Sequence, residues 1–391
     1  MSDPTSQQDE AAQFTLEVVS TREGVEALAD DWRRLDAVTS VASIFRTWEW
    51  MEAWLHAVEW KRRLHVVVIR DTQKQVAAIA PLMIGAHGAY DRGDRIVSFI
   101  GSDGPQGGSY MDLIAAPGWE GRAHLAVVGH LRDHMKEFSY INLNRVALDD
   151  PAFNHWSAAA LECDLHATVD LRRRTVWSPL PATYDEYVAA VPNKRWRQRM
   201  RNFPGALARE FPSACFVDRG TGSPLEGVLA DLRRLQEARW EEGSTYWQRP
   251  GFPAYIHRLC RSLQSAGRLR AIFLMVNDRP VSARLGLIHR GTWIDFQAGR
   301  DPSFKEHDVA YLTLWHCAEK AIAERLTRMD SLDEYEYKRR YFRQTRWLAD
   351  LRFYDDRFSS AGRQVMKTAG RAARRTVKGL LPGKLLRLLR K

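Results

Sequence analysis

Apolar and polar positions along the chain fall into short alternating runs separated by longer stretches of helical period. Phe14 to Val19 alternates and predicts a strand; Gly24 to Leu35 predicts an amphipathic helix. Trp48 to Val58 carries Trp50, Met51, Trp54 and Val58 at helical spacing. Leu64 to Ile69, a turn over Asp71 to Lys74, and Val76 to Ile84 predict a hairpin. Ile96 to Ile100 and Met111 to Ala115 read as strands around a loop holding Gly101, Gly104, Gly107 and Gly108. A helix over Glu120 to Phe138, a strand over Tyr140 to Leu143, a helix over Ala152 to Leu161 and a strand over His166 to Leu171 complete the first half.

The second half runs through a similar order. Helices are predicted over Tyr184 to Ala190 and Lys194 to Glu210, then a strand over Ala214 to Val217, then helices over Leu225 to Glu241 and Tyr255 to Ser265. A hairpin follows, Arg270 to Val276 and Pro280 to His289 about Asn277-Asp278. The strand Thr292 to Ala298, the helix Ala310 to Glu324 and a closing strand near Leu351 to Tyr354 end the series. The order of elements repeats although the letters do not. That predicts an α/β (α+β) chain of two related domains, each a mixed, largely antiparallel sheet flanked by helices. The expected divisions are a disordered start over 1–13, domains over 14–180 and 181–356, and a basic tail over 357–391.

Charge changes this picture at one end. The chain of 391 residues has 58 Lys+Arg against 48 Asp+Glu, a formal net charge of +10. Ser359 to Lys391 holds ten basic residues and no acid, which accounts for the whole excess. Arg363, Lys367, Arg371, Arg374 and Lys378 fall on one helical face, with Val365, Met366, Ala369, Ala373, Val377 and Leu380 opposite. A basic face backed by an apolar one fits a helix lying on an anionic membrane surface, and also fits an acidic protein or nonspecific nucleic-acid contact. Met1 to Gln13 has no secretory pattern, and no apolar run approaches the length of a spanning helix. Cys163, Cys215, Cys260 and Cys317 show no pairing or metal-ligand spacing. These features imply a cytoplasmic protein, peripheral on the inner face of a membrane if the tail binds there, with no metal.

Several motifs are excluded. The glycine loop has no Lys-Ser/Thr ending and is no Walker motif; no Ser/His/Asp triad or dinucleotide fingerprint stands out. Asp295 and Gln297, two apart on a strand, are expected to share a face and point into a cleft. Arg239 and Trp240 close a long helix, where the arginine could clamp a phosphate or carboxylate and the indole could stack, or both could simply pack. Lys194 to Arg201 holds five basic residues around Trp196, either a solvated face or a phosphate contact. Trp48, Trp50 and Trp54 read as core, with Glu49 as a polar contact; Asp301 before Pro302 reads as a turn residue.

Eight stretches in order carry a resemblance. They are Ile44 to Trp50 with Trp54, Ala80-Pro81-Leu82, Tyr110 with Asp112, Lys194 to Arg201, Arg239-Trp240, Leu269 to Leu287 with Pro280-Val281-Ser282-Ala283, Gly299 to Pro302, and Glu336 to Arg340. Together they resemble the GNAT-superfamily acetyltransferase-like proteins of the CelD-like group, associated with cellulose and exopolysaccharide synthesis and distantly similar to FemAB-type aminoacyltransferases. The resemblance implies two tandem GNAT-like domains. It also implies an N-acyltransferase moving an acyl group from acetyl-CoA or another acyl-CoA to an amine of a sugar, polysaccharide precursor or lipid-linked intermediate. Glu336 would be the base, Tyr337 the acid and Lys338 their neighbour, the alternative being that Glu334, Tyr335, Glu336 and Lys338 form a solvated charged turn; Arg239, Trp240, Asp295, Gln297 and Glu49 would bind substrate. His307, Val309, Ala310, Arg195 and Arg199 would hold the donor's phosphates. The chain departs from the family at Ser303 to Ala310, which lacks the expected small-residue turn and places Glu306 and Asp308 where a phosphate would sit. Two further readings stay open: a non-catalytic scaffold in envelope-polysaccharide machinery, motivated by that missing turn, and aminoacyl transfer from tRNA, motivated by Arg195, Arg197 and Arg199.

Overall fold

Strand pairing, more than helix packing, organises the chain. The computed structural model describes residues 14–57, 62–85, 95–103, 106–239 and 246–355. The expectations for 1–13, Trp240 and the tail over 357–391 lie outside the described residues, as does the side chain of Arg239.

The first half runs β1 (Thr15–Val19), α1 (Arg22–Glu26), α2 (Ala29–Val38), α3 (Trp48–Ala57), β2 (Arg63–Leu64), β3 (Val66–Arg70), β4 (Val76–Ala80), β5 (Leu82–Gly85), β6 (Ile96–Phe99), β7 (Ile114–Ala115), α4 (Glu120–Asp133), β8 (Tyr140–Ala147), α5 (Pro151–Glu162) and β9 (His166–Pro179). The second runs α6 (Tyr184–Ala189), α7 (Lys194–Glu210), β10 (Cys215–Asp218), α8 (Leu225–Arg239), α9 (Phe252–Ser265), β11 (Leu269–Val276), β12 (Arg279–His289), β13 (Thr292–Arg300), α10 (Val309–Ala323), β14 (Arg328–Asp333) and β15 (Gln344–Tyr354).

Local chemistry explains several boundaries. The helix expected over Gly24 to Leu35 is two, α1 and α2, broken at Ala27 and Leu28. Thr183 and Glu186 form a reciprocal capping box that starts α6, and the Asn193 side chain caps Arg195 and Trp196 to start α7. The strand expected over Val76 to Ile84 breaks at Pro81, which has no N–H to give a ladder. There the chain passes from a four-stranded sheet, β1-β3-β4-β7, to an eleven-stranded one.

The large sheet has the order β10-β11-β12-β13-β14-β9-β15-β8-β6-β5-β2. It is antiparallel except for two pairs, β13 with β14 and β6 with β8. Each parallel pair is bridged in sequence by one long helix, α10 in the second half and α4 in the first. The last strand of each half pairs across the middle: β9 lies on β14, β15 lies on β8, and β9 and β15 pair with each other. Neither half therefore completes its sheet alone. β14 is absent from the hydrophobic pattern because its buried residues include Asp330 and Ser331.

One core gathers α2, α3, α4, α5, α8 and α9; a second gathers α6, α7 and α10 on the other face of β11 to β13. Trp48, Trp50 and Trp54 are buried in the first, as expected. The Trp50 and Trp54 indoles donate to Gly101 O (3.4 Å) and Asp103 O (2.9 Å), holding the glycine loop. Gly286 is required by contact, since a Cβ there would stand 2.5 Å from the Trp293 ring.

Candidate functional site

In the second half the parallel pair β13 and β14 is bonded only from Thr292 to Ile294 against Arg328 to Asp330. Beyond that the strands separate. The register of β12 against β13 also slips between Leu285 and Gly286, so Phe296 is an extra residue on β13. This bulge corrects the expected shared face of Asp295 and Gln297. Asp295 bonds to Arg284, whose guanidinium reaches toward Ala310 O on α10 (3.3 Å); Gln297 bonds to Gln236 on α8 (2.8 Å). An inserted residue resets the two-residue alternation, and the two side chains part.

Asp295 is the centre of a buried polar group. One oxygen accepts from Arg284 Nη1 (2.5 Å) and Ser331 Oγ (3.0 Å). The other, Oδ1, is buried and makes no hydrogen bond. The Lys338 ammonium donates to Ser331 O and to Asp333 O (2.9 Å), which places it beside the same strand end. Burial pushes the Lys338 pKa down; Asp295 opposes that shift and Arg284 adds to it. Burial likewise works against the Arg284 charge, but Asp295 outweighs it and the guanidinium pKa is raised. Tyr337 is felt electrostatically at Arg284 and stacks on Tyr335, with ring centroids 6.1 Å apart.

The first half reaches into this group through Tyr110 and Thr175. The Tyr110 hydroxyl lies 2.7 Å from Asp330 Oδ2 and 2.8 Å from Thr175 Oγ1. Tyr110 holds φ at +56°, a left-handed conformation that costs a bulky residue energy. Asp330 also accepts from Arg328 (3.1 Å) and from Leu332 N (2.9 Å).

The structure thus brings together Asp295, Tyr337 and Lys338 from the expected set, and adds Arg284, Ser331, Asp330 and Tyr110. Glu336 is exposed on the turn before Lys338. Glu49 is taken up by ion pairs to Arg33 and Arg268, both at 3.3 Å. At the start of α10, Asp308 is left-handed at φ +51° and is paired with Arg199, so its charge is already met. Arg199 also lies over the Trp196 and Phe203 rings. His307 stands 3.6 Å from Glu210, edge-on to Phe211. Val309 is buried and its carbonyl accepts from Thr313 (2.7 Å); Ala310 N–H lies in the first turn of α10, where a helix has no internal acceptor. Arg195 is exposed, whereas Arg197 donates to Val191 O (2.6 Å) and Pro192 O (3.0 Å). Asp301 caps the following turn through Ser303 N (2.9 Å), as expected. Among the described residues no group of three His, Cys, Asp or Glu side chains is placed to hold a metal ion, and the four cysteines are free.

Residues 193–339 match the family model described as an acetyltransferase (GNAT) domain, and the whole polar group at Asp295, apart from Tyr110 and Thr175, lies inside that span. No curated protein matches the chain. Among solved structures, FemX is similar at 10% identity and TM-score 0.59, over 87% of this chain and 97% of that one. A conserved protein of unknown function from Bacteroides thetaiotaomicron is similar at 12% identity and TM-score 0.52, over 87% and 100%. The C-terminal domain of a putative lysylphosphatidylglycerol synthetase from Agrobacterium fabrum is similar at 7% and 0.50, over 87% and 95%. At these identities the likeness is one of fold: an α+β GNAT-like architecture with a mixed sheet flanked by helices.

Proposed function

We propose that the chain is an N-acyltransferase whose reaction takes place where β13 and β14 separate. The observation that carries this reading is the unbonded, buried Oδ1 of Asp295 beside Lys338, inside the span that matches the GNAT domain. An acceptor ammonium would give its proton to Asp295 Oδ1, and the freed amine lone pair would attack the carbonyl carbon of an acyl thioester. The third N–H of Lys338 would meet the developing oxyanion. The carbon–sulfur bond then breaks, the thiolate takes its proton from the Tyr337 hydroxyl, and the second proton of the attacking nitrogen passes to the Tyr337 oxygen as the amide forms. Buried Asp295 replaces exposed Glu336 as the base in this scheme.

An acyl-CoA is the donor that fits. Its phosphates would lie toward the start of α10, with Ala310 N–H as a free donor and Arg340 and Arg195 as nearby cations. The acceptor class, an amine on a sugar, polysaccharide precursor or lipid-linked intermediate, rests on the sequence resemblance alone. Aminoacyl transfer from tRNA is less well supported by this geometry, because Arg197 and Arg199, two of the three arginines that suggested it, are engaged within the protein. The peripheral-membrane reading of the tail remains a compositional inference, and retention on anionic vesicles by the full chain but not by one ending at Phe358 is its test.

For the enzyme, the test is isothermal titration with acetyl-CoA and longer acyl-CoAs, followed by thiol release with amine acceptors. Saturable binding and amine-dependent thiol release are expected. No binding at millimolar donor overturns the reading.

A further inference from the structure

The first half holds a cavity of about 100 Å³ at the starts of α4 and α5. Its polar lining includes Thr39, Arg46, Asp112, Glu120, His124 and Asp150. The acyl-transfer reading uses none of them.

Asp112 is 6% exposed. Its Oδ1 accepts from Trp156 Nε1 (2.7 Å) and faces His124 Nε2 (3.0 Å). Among the described residues its Oδ2 accepts no hydrogen bond and has Arg46 Nη1 at 3.5 Å as its ion-pair partner. Arg46 is committed elsewhere, through Nε to Tyr110 O (2.8 Å) and Nη2 to Asp150 (3.1 Å). One oxygen of a deeply placed carboxylate is therefore left as a spare acceptor on the cavity wall. Burial works against the Asp112 charge, but His124, Arg46 and the bonds from His124 and Trp156 outweigh it, so the group stays ionised.

Charge counting gives the sign of what would fit. The lining has three carboxylates, Asp112, Glu120 and Asp150, against Arg46. His124 lies between two acceptors, Glu120 O (2.6 Å) and Asp112, so satisfying both takes a proton on each ring nitrogen. Counting it as a cation leaves one negative charge in excess over these five groups; His155, with its ring centroid 5.2 Å from that of His124, also lines the cavity. An anion brought there would meet that excess, whereas a cation would complete the pairing that enclosed charges require. Val41, Leu113, Ala115, Pro151 and Ala152 form an apolar part of the wall, beside Ser40 and His155. It suits a short carbon chain behind a charged head.

We propose that this cavity is a binding site for a primary ammonium group on an aliphatic stem, with Asp112 Oδ2 and the Thr39 hydroxyl as its acceptors and Glu120 at the mouth. The site is separate from the separation of β13 and β14, and its existence does not depend on the acyl-transfer reading.

The probe is n-butylammonium, with n-butanol and butyrate as isosteric controls, added to the full chain without acyl-CoA. The readout is the indole N–H resonance of Trp156 in nitrogen-labelled protein, assigned by its loss in Trp156→Phe. Butylammonium is expected to shift that resonance saturably in the millimolar range while butyrate does not. Asp112→Asn should weaken binding at least about tenfold, the worth of one charge-assisted hydrogen bond. Should Asp112→Asn fail to fold, Thr39→Val, which leaves the buried network intact, should weaken binding several-fold. The same shift in Asp295→Asn would support a site apart from the reaction cleft. A shift that never saturates, equal binding of butanol, or unaltered binding in both cavity variants would overturn the proposal.

Discussion

The cleft of the second half and the cavity of the first share a local plan and differ in sign. Each half has a parallel strand pair joined by a long helix, and each places a buried aspartate next to a buried arginine, Asp295 with Arg284 and Asp112 with Arg46. In each aspartate one oxygen is held and the other is spare. The companions then diverge. Asp295 has Lys338 beside it, on the Lys338 to Arg340 turn; Asp112 has Glu120 and Asp150. In each pair the guanidinium faces the carboxylate within the core. The second ring of charge decides whether an anionic donor or a cationic head suits the space beside it.

The sharpest way to break this comparison is to neutralise Asp295. Asp295→Asn keeps the shape and removes the proposed base, so acyl transfer should fall by about 10²–10⁴-fold, with acyl-CoA binding retained in titration. A loss below tenfold would move the base elsewhere, to Glu336 first. Arg284→Met is the stability counterpart. It strands a buried carboxylate and should cost about 3–5 kcal/mol, read as a lower denaturant midpoint. An unchanged midpoint would mean water reaches Asp295 and the group is less enclosed than its burial implies.

A smaller effect tests whether the two halves communicate. Tyr110 places its carbonyl on Arg46 in the first half and its hydroxyl on Asp330 and Thr175 near the second-half cleft. Tyr110→Phe removes only the hydroxyl. Stability should drop by about 1 kcal/mol, and the Michaelis constant or turnover of the acyl transfer should move as Asp330 and Ser331 settle. A stability change with unaltered kinetics would make Tyr110 a structural pin alone.

Much of this was legible in the chain, and the misses have physical causes. The apolar period marked α7 to its residues and placed the hairpin of β11 and β12. It could not mark β14, whose Arg328-Met329-Asp330-Ser331 stretch is polar yet buried because neighbouring strands and Tyr110 supply its partners. Asp295 stands out as an acid in an apolar strand, but the bulge at Phe296 that parts it from Gln297 is a slip in register against β12, a tertiary fact. Arg46 and Asp112 show no joint role in the sequence, since they stand 66 positions apart and only the folded chain pairs them. The exchange of β9 and β15 is likewise a pairing choice that no local pattern encodes.

That exchange ties the acid response of one half to the stability of the other. His65, between β2 and β3, is pushed down to about 4 by burial and then by His130, with Arg63 and His134 acting in the same direction and Glu137 against. Its Nε2 lies 3.1 Å from His130 Nε2, and burial lowers the His130 pKa as well. The folded protein therefore keeps His65 neutral while an unfolded chain would protonate it below about 6.5. Between about 6.5 and about 4 the unfolded state binds more protons, so stability is full above that window and falls as pH drops through it. Thermal melting across these pH values should show the decline, and His65→Leu should flatten it. Because β9 completes the sheet around β14 and β15 completes it around β8, acid loosening at His65 in the first half should carry the second with it in one transition. Two separate transitions, only one of them moving with pH, would show that the halves are stable apart and that the crossed strands do not bind their folding together.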